Sequence, residues 1–314
     1  MQRAAWLSIL VVSLGCQDPG TDAAPVSPPP PPAVAAPAPV PPPAPVFAPI
    51  HPRRVVIISE DGLRPDVIDE TLTPTHVRLM SQGATAREAK TIPQSDTLPS
   101  HASMLSGFAA SAHGLWWNSL QPDRGFIHVP TVFSIARAHG LSTAMFVGKP
   151  KLRHIARPGA VDHFERPSYL CGGVSRRAAA YFIEKKPDLM FVHFSDPDED
   201  GHAFGWMSER YRVAVGHSDR CLERVIAAID DSGLGDSTLI IVTADHGGHG
   251  RHHSGGNDPV NREIPWIARG PGIAPGASLD TPIVTVDTAA TVLAALRLPA
   301  PPKMIGLPKL TFTP

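Results

Sequence analysis

Residues Thr238 to Val242 form a β-branched and aliphatic run too short for a helix, and the run ends in Thr243-Ala244-Asp245-His246-Gly247-Gly248. Such a run predicts a strand buried on both faces, as in a parallel sheet, with the Asp-His pair at its carboxyl end. Open α/β sheets place their ligands at that end. A carboxylate beside an imidazole, with further imidazoles at His249, His252 and His253 and glycines to fold the backbone over them, suits a divalent cation such as zinc. A polar surface loop would look the same in isolation, so the other strands decide.

Two of them repeat the pattern. Val55-Val56-Ile57-Ile58 runs into Ser59-Glu60-Asp61-Gly62, and Leu189 to Phe194 runs into Ser195-Asp196-Pro197-Asp198, with His202 four residues beyond Asp198. Residues four apart on one helical turn or in a tight loop can meet a common ion. Asp61, Asp198, His202, Asp245, His246 and His253 together make three carboxylates and three imidazoles. Surface accidents do not fall independently at three strand ends. A hydroxyl joins them: Pro99 suits the first turn of a helix that Gly107 ends, which puts Thr97 at a helix N-terminus, where free amides and the macrodipole favour an anion. A Thr there also serves as an ordinary N-cap. With that hydroxyl, the set fits two metal ions ~4 Å apart, a device for in-line displacement at phosphorus.

The rest of the chain predicts alternating helices and strands. Thr73-Pro74 starts a short helix, residues 84–90 read as a weak strand, 131–139 as a helix and 142–147 as a strand. Residues 172–186 form a helix, 264–268 a strand and 286–297 a closing helix. Tyr211, Val215, Leu222, Val225 and Ile229 keep a helical period, so 209–231 is a long amphipathic helix over the sheet. The expected fold class is α/β, a mainly parallel sheet sandwiched between helices in one domain over residues 53–314. A hydrophobic content of 42% and net charge of −1 give no electrostatic pointer to nucleic acid, and none is expected as a partner.

Residues 1–16 hold one Arg, an apolar run and Ser13-Leu14-Gly15-Cys16, the shape of a removable signal peptide. The Gly-Cys junction resembles a bacterial lipoprotein cleavage site, with Cys16 as the lipid-bearing residue; plain secretion is the alternative. Residues 17–52, dense in Pro, predict an extended tether reaching on the order of 100 Å. The chain is thus expected outside the cytoplasm, as a periplasmic or cell-surface lipoprotein or a secreted protein, touching a membrane only through its lipid. Cys171 and Cys221 either pair there or remain two buried thiols.

Five blocks carry a family resemblance: D-G-L-R-P-D at Asp61 to Asp66, T-L-P-S-H at Thr97 to His101, H-G-L-W-W-N at His113 to Asn118, D-P-D-E-D-G-H at Asp196 to His202, and D-H-G-G at Asp245 to Gly248. In this order they resemble the alkaline phosphatase superfamily, and within it the type I phosphodiesterase/nucleotide pyrophosphatase branch. The resemblance implies an alkaline phosphatase-like fold and two zinc ions. One would be held by Asp61, Thr97, Asp245 and His246, the other by Asp198, His202 and His253, the last chosen over His252 by its spacing. It implies Thr97 as nucleophile, a phospho-threonine intermediate, and a small anionic phosphoester as substrate. The Leu98 amide and Asn118 would hold a phosphate oxygen.

Competing readings differ in particular residues. Sulfatases share the fold but need a Cys or Ser nucleophile followed by spaced Pro and Arg, which T-L-P-S-H lacks. A non-enzymatic metal-binding surface lipoprotein would be expected to lose a ligand or the nucleophile, and none is missing. Gly148-Lys149-Pro150-Lys151 resembles the lysine pair with which phosphonoacetate hydrolases hold a carboxylate, so a C–P cleaving enzyme is the alternative. Lys149 and Lys151 would then bind substrate; otherwise they belong to a solvated loop.

Overall fold

The computed structural model describes residues 51–254 and 258–312. The expected signal segment, Cys16 and all but the last two residues of the expected tether lie outside them. In chain order the elements are β1 (Arg54–Glu60), α1 (Pro74–Gln82), β2 (Ala84–Ala86), β3 (Ala89–Lys90), α2 (Thr97–Ser106), α3 (Ala110–His113), α4 (Val132–Ala138), β4 (Thr143–Val147) and β5 (His163–Glu165). There follow α5 (Cys171–Lys185), β6 (Leu189–Phe194), α6 (Asp196–Phe204), α7 (Glu209–Asp231), β7 (Thr238–Thr243), α8 (Pro259–Arg262), β8 (Trp266–Arg269), β9 (Ala277–Leu279), β10 (Ile283–Val284) and α9 (Asp287–Ala295).

Eight strands form one sheet in the order β5-β4-β6-β1-β7-β8-β2-β9. From β5 to β7 every pairing is parallel, while β8 runs antiparallel to both of its neighbours. Residues 84–90, read as one strand, divide: β2 joins the main sheet and β3 pairs with β10. The central strands are apolar on both faces because both faces are covered. Val55, Ile57, Phe191 and Ile241 pack with Leu98 and Leu105 of α2, Phe133 of α4 and Val292 of α9. Val56, Ile58, Val192 and Val242 pack with Leu79 of α1, Phe182 of α5 and Leu222 and Val225 of α7. Among the described residues, no helix is long and apolar enough to cross a membrane.

The register sets the site. Ser59 on β1 lies level with His193 on β6 and with Thr243 on β7. Asp61, the start of α6 and Asp245 therefore leave three adjacent strands at one edge. Gly62 turns away from β1 with φ +72°, and a Cβ there would stand 3.0 Å from the Asp198 Cα, so glycine permits both the turn and the close approach.

On the opposite face of β1 a buried triad joins strand to helices. His76 Nδ1 lies 2.7 Å from Asp219 Oδ1, and its Nε2 comes within 3.0 Å of Glu60 Oε1, off the line of a hydrogen bond. Burial pulls the His76 pKa down, but Glu60 and Asp219 outweigh it and raise the value to about 9. A folded-state value above the unfolded ~6.5 gives stability that is complete below ~pH 6.5 and lost as pH rises through the folded value. The expected loss is up to about 3 kcal/mol. Denaturant midpoints should fall between pH 6.5 and 9.5 in the native chain and fall less steeply in His76→Gln; equal slopes in both would remove His76 as the cause.

Candidate active site

Thr97 is the first residue of α2, and Asp96, without a side-chain capping bond, holds the N-cap position. The Thr97 hydroxyl thus does not cap the helix. It is buried and, among the described residues, has no hydrogen-bond partner. Four other buried atoms in the same region share that condition: Asp61 Oδ1, Asp198 Oδ1, Asp245 Oδ2 and His246 Nε2. Each unsatisfied buried polar atom costs about 1 to 3 kcal/mol, so five on the expected ligand residues point to a cation they are built to hold.

The ligand geometry divides into two overlapping groups. Donor atoms of Asp61, Asp198 and His246 lie within 4.8 Å of one another, as do those of Asp198, His202 and His253. His246 Nε2 is 3.2 Å from Asp61 Oδ1, 3.4 Å from Asp245 Oδ2 and 3.7 Å from Asp198 Oδ1. Asp198 therefore stands between the two groups, with His202 Nε2 at 3.4 Å and His253 Nε2 at 3.8 Å from its Oδ1. α6 puts Asp198 and His202 on one turn. His252 is exposed and bridges to His249, whereas His253 is buried and stacked on His246.

Hydrogen bonds fix how each imidazole faces the centre. Nδ1 of His202 bonds the Arg251 carbonyl at 2.9 Å, that of His246 the Gly247 carbonyl at 2.8 Å, and that of His253 the Ser95 carbonyl at 2.7 Å. A carbonyl only accepts, so in all three rings Nδ1 carries the proton and Nε2 is aimed at the carboxylates. Burial would lower the His246 pKa, but Asp245, with Asp61 and Asp198, overcomes it and raises the value to about 9. Burial and the neighbouring His246 push His253 down to about 3. Asp245 is raised to about 6 by burial and by Asp61.

Three residues that sequence reasoning left without a role, or placed differently, complete the centre. His193 Nε2 donates to Asp61 Oδ2 at 2.9 Å and leaves Oδ1 for the site. His101 Nδ1 donates to the Thr97 carbonyl at 2.8 Å and lies 3.3 Å from Asp245 Oδ2, while its Nε2 accepts from Ser59 Oγ. The signal for His193 was one imidazole inside an otherwise apolar strand. Lys149 is the third: only 3% exposed, it pairs with Asp198 and lies 2.9 Å from Asp61 Oδ2, which excludes the solvated-loop reading for this lysine. Burial opposes the Lys149 charge, but Asp61 and Asp198 outweigh it and hold the pKa well above the lysine range.

Asn118 Oδ1 accepts from the Leu98 N–H at 3.1 Å and from Lys151 Nζ at 2.9 Å. Two donors on one oxygen identify it as Oδ1, so the amide N–H groups remain to bind an anion. His113 fastens the loop that carries Asn118, accepting from the Leu115 N–H at 3.1 Å. Leu98, Asn118 and Lys151 are thus brought together beside Thr97 at the N-terminus of α2.

A mainly parallel α/β sheet with this ligand set at the carboxyl ends of its central strands is the alkaline phosphatase-like architecture. Residues 55–254 match the model of the type I phosphodiesterase / nucleotide pyrophosphatase family, and the chain belongs to that family. Ectonucleotide pyrophosphatase/phosphodiesterase family member 7 of Mus musculus is 22% identical over 218 residues, 62% of this chain and 49% of that protein. Bis(5'-adenosyl)-triphosphatase ENPP4 of Bos taurus is 22% identical over 222 residues, 62% of this chain and 48% of that protein. The chain spans about half the length of these curated relatives. A structure of murine ectonucleotide pyrophosphatase / phosphodiesterase 5, an inactive form in complex with AMP, superposes with a TM-score of 0.67 at 14% identity, covering 80% of this chain and 96% of that one. At that identity the likeness speaks for the fold.

Proposed function

We propose that residues 53–314 form a hydrolase of phosphoric esters, phosphodiesters first, that uses Thr97 as nucleophile and two divalent metal ions, zinc before others. Asp61, Thr97, Asp245 and His246 hold one ion and Asp198, His202 and His253 the other. The observation that carries this is the convergence at one sheet edge of five unsatisfied buried atoms, His246 Nε2 among them, and the aimed Nε2 atoms of His202 and His253. Oxygen and imidazole donors without thiolate suit zinc. When bound, such ions supply Lewis-acid activation and charge neutralisation.

The chain's own groups perform the rest. Thr97 Oγ1 forms the new bond to phosphorus as one alkoxide departs opposite and leaves as the alcohol with the proton the hydroxyl gives up; water then cleaves the threonine phosphodiester, restoring the hydroxyl and releasing a phosphomonoester. The N-terminus of α2 and the Asn118 side-chain N–H groups take up charge on a non-bridging oxygen, while the Leu98 N–H, expected on that oxygen, instead donates to Asn118 Oδ1 and positions the side chain. Lys151 holds the Asn118 amide in the orientation that presents its N–H groups. Asn118→Ala should lower kcat by ~10²-fold; a rate constant unchanged from the native chain would take Asn118 out of the site.

A panel of aryl phosphodiesters, aryl phosphomonoesters, sulfate esters and phosphonoacetate, assayed with added zinc, tests the reading. Phosphodiesters should give the highest kcat/KM, and sulfate esters in first place would overturn it. The second reading, a phosphonoacetate hydrolase-like C–P cleaving enzyme, draws on the presence of both Lys149 and Lys151 at the site. Phosphonoacetate in first place would select it. Export, with lipid on Cys16 and a Pro-rich tether, belongs to this proposal and draws on the N-terminal residues alone.

A further inference from the structure

A second set of metal-type donors lies outside the proposed hydrolytic ligands, where α5, α6 and α7 meet. Cys171 is the first residue of α5, Cys221 lies within α7, both are buried, and their sulfurs form a disulfide across 50 residues of sequence. The alternative of two free thiols is thereby excluded for this state. His217 stands one helical turn before Cys221, with its Nδ1 3.8 Å from Cys171 Sγ. Donor atoms of Cys171, His217 and Cys221 all fall within 4.8 Å of one another. Asp196 completes the group: its Oδ1 is 3.3 Å from His217 Nδ1, and its Oδ2 accepts the Cys171 N–H at 2.6 Å.

A disulfide needs neither the imidazole nor the carboxylate. A tetrahedral ion with sulfur ligands at ~2.3 Å and nitrogen or oxygen ligands at ~2.0 to 2.1 Å separates adjacent S and N donors by about 3.6 Å and adjacent N and O donors by about 3.3 Å. The observed 3.8 and 3.3 Å are close to those edges. Cys171 also opens a helix of 15 residues, where the dipole favours a thiolate over a thiol.

We infer that reduction of this disulfide exposes a third metal site, in which Cys171, Cys221 and His217, with Asp196 closing the shell, bind one borderline or soft divalent cation of the zinc and cadmium class. A dithiol delivers two electrons and two protons to the S–S bond, leaving two cysteine thiols and its own cyclic disulfide. The cation then displaces both thiol protons to solvent. Disulfide and ion exclude each other, because the same sulfurs serve both. The helices stay in place without the S–S bond, since Val174, Ala178 and Phe182 of α5 share one buried cluster with Leu222, Val225 and Ile226 of α7.

The test uses the full chain, oxidised or reduced with dithiothreitol and freed of reductant anaerobically, then titrated with cobalt(II) and with cadmium(II). The reduced protein should develop a thiolate-to-metal charge-transfer band whose plateau corresponds to one thiolate-bound ion per chain, and the oxidised protein none. The proposed hydrolytic centre offers only oxygen and imidazole, so it contributes no such band, and a failed phosphoesterase assay leaves this result standing. His217→Ala should weaken the band-forming affinity at least tenfold, and Cys221→Ser should erase the band. Alkylation of reduced native protein should erase it too, which covers a Cys221→Ser chain that fails to fold. A reduced protein without the band, a band that survives alkylation, one lost on Cys16→Ser, or affinity unchanged in His217→Ala would each overturn the assignment.

Discussion

Thr97→Ala should lower turnover by ~10³-fold or more while the protein stays folded and still takes up metal. The substitution removes the proposed attacking oxygen but only one of the seven proposed ligand residues, and the carboxylates and imidazoles keep their own supports from His193, His101 and the three backbone carbonyls. Stability separates this from ordinary damage to a buried residue. Deleting a buried hydroxyl that has no partner relieves a cost rather than creating one, so the melting temperature without metal should hold or rise. Single-turnover hydrolysis of an aryl phosphodiester, read beside a thermal melt, decides the matter. Wild-type turnover in Thr97→Ala would return the hydroxyl to a merely structural role.

Chelation should abolish hydrolysis and zinc should restore it. The pH dependence of that recovery follows from His246. Its Nε2 is held protonated up to about pH 9 by burial and three carboxylates acting in opposition, with the carboxylates prevailing. Loading an ion at that nitrogen must expel the proton, so apparent affinity should fall about tenfold for each pH unit below that value. His253, pushed down to about 3, is already neutral and adds no competition in this range. Asp245, raised to about 6, adds a second proton to displace in acid. Activity retained by protein that metal analysis shows to be empty would sink the metal-dependent reading, and zinc affinity level from pH 6 to 9 would sink the role given to His246.

The strands were legible because buried parallel strands are written as unbroken apolar runs, and their ends were legible because a carboxylate follows each run. The pair Asp198 and His202 was legible for a local reason: four residues are one helical turn. What joins distant segments was not. Nothing in Leu189 to Phe194 says that β6 will flank β1, yet that adjacency gives His193 its partner Asp61, 132 residues away. The reversal of β8 and the division of residues 84–90 between two sheets are likewise choices made by neighbouring strands. Lys149 was placed on the correct loop, but a side chain with four methylenes does not disclose where its ammonium lands. The cysteines left two outcomes open because pairing depends on α5 docking against α7.

Lys149 also gives the centre a counter-charge of its own. Three carboxylates gathered at one sheet edge with no positive neighbour would drive the ends of β1, β6 and β7 apart, and a protein stripped of metal would be at risk of opening from its middle. An ammonium supplied by the chain, buried against Asp61 and Asp198, removes that risk. The sheet edge thus carries a counter-charge that the chain itself supplies. If the proposed ions bind here, the ammonium must give way to them, and a centre that has lost them is still charge-matched rather than torn apart.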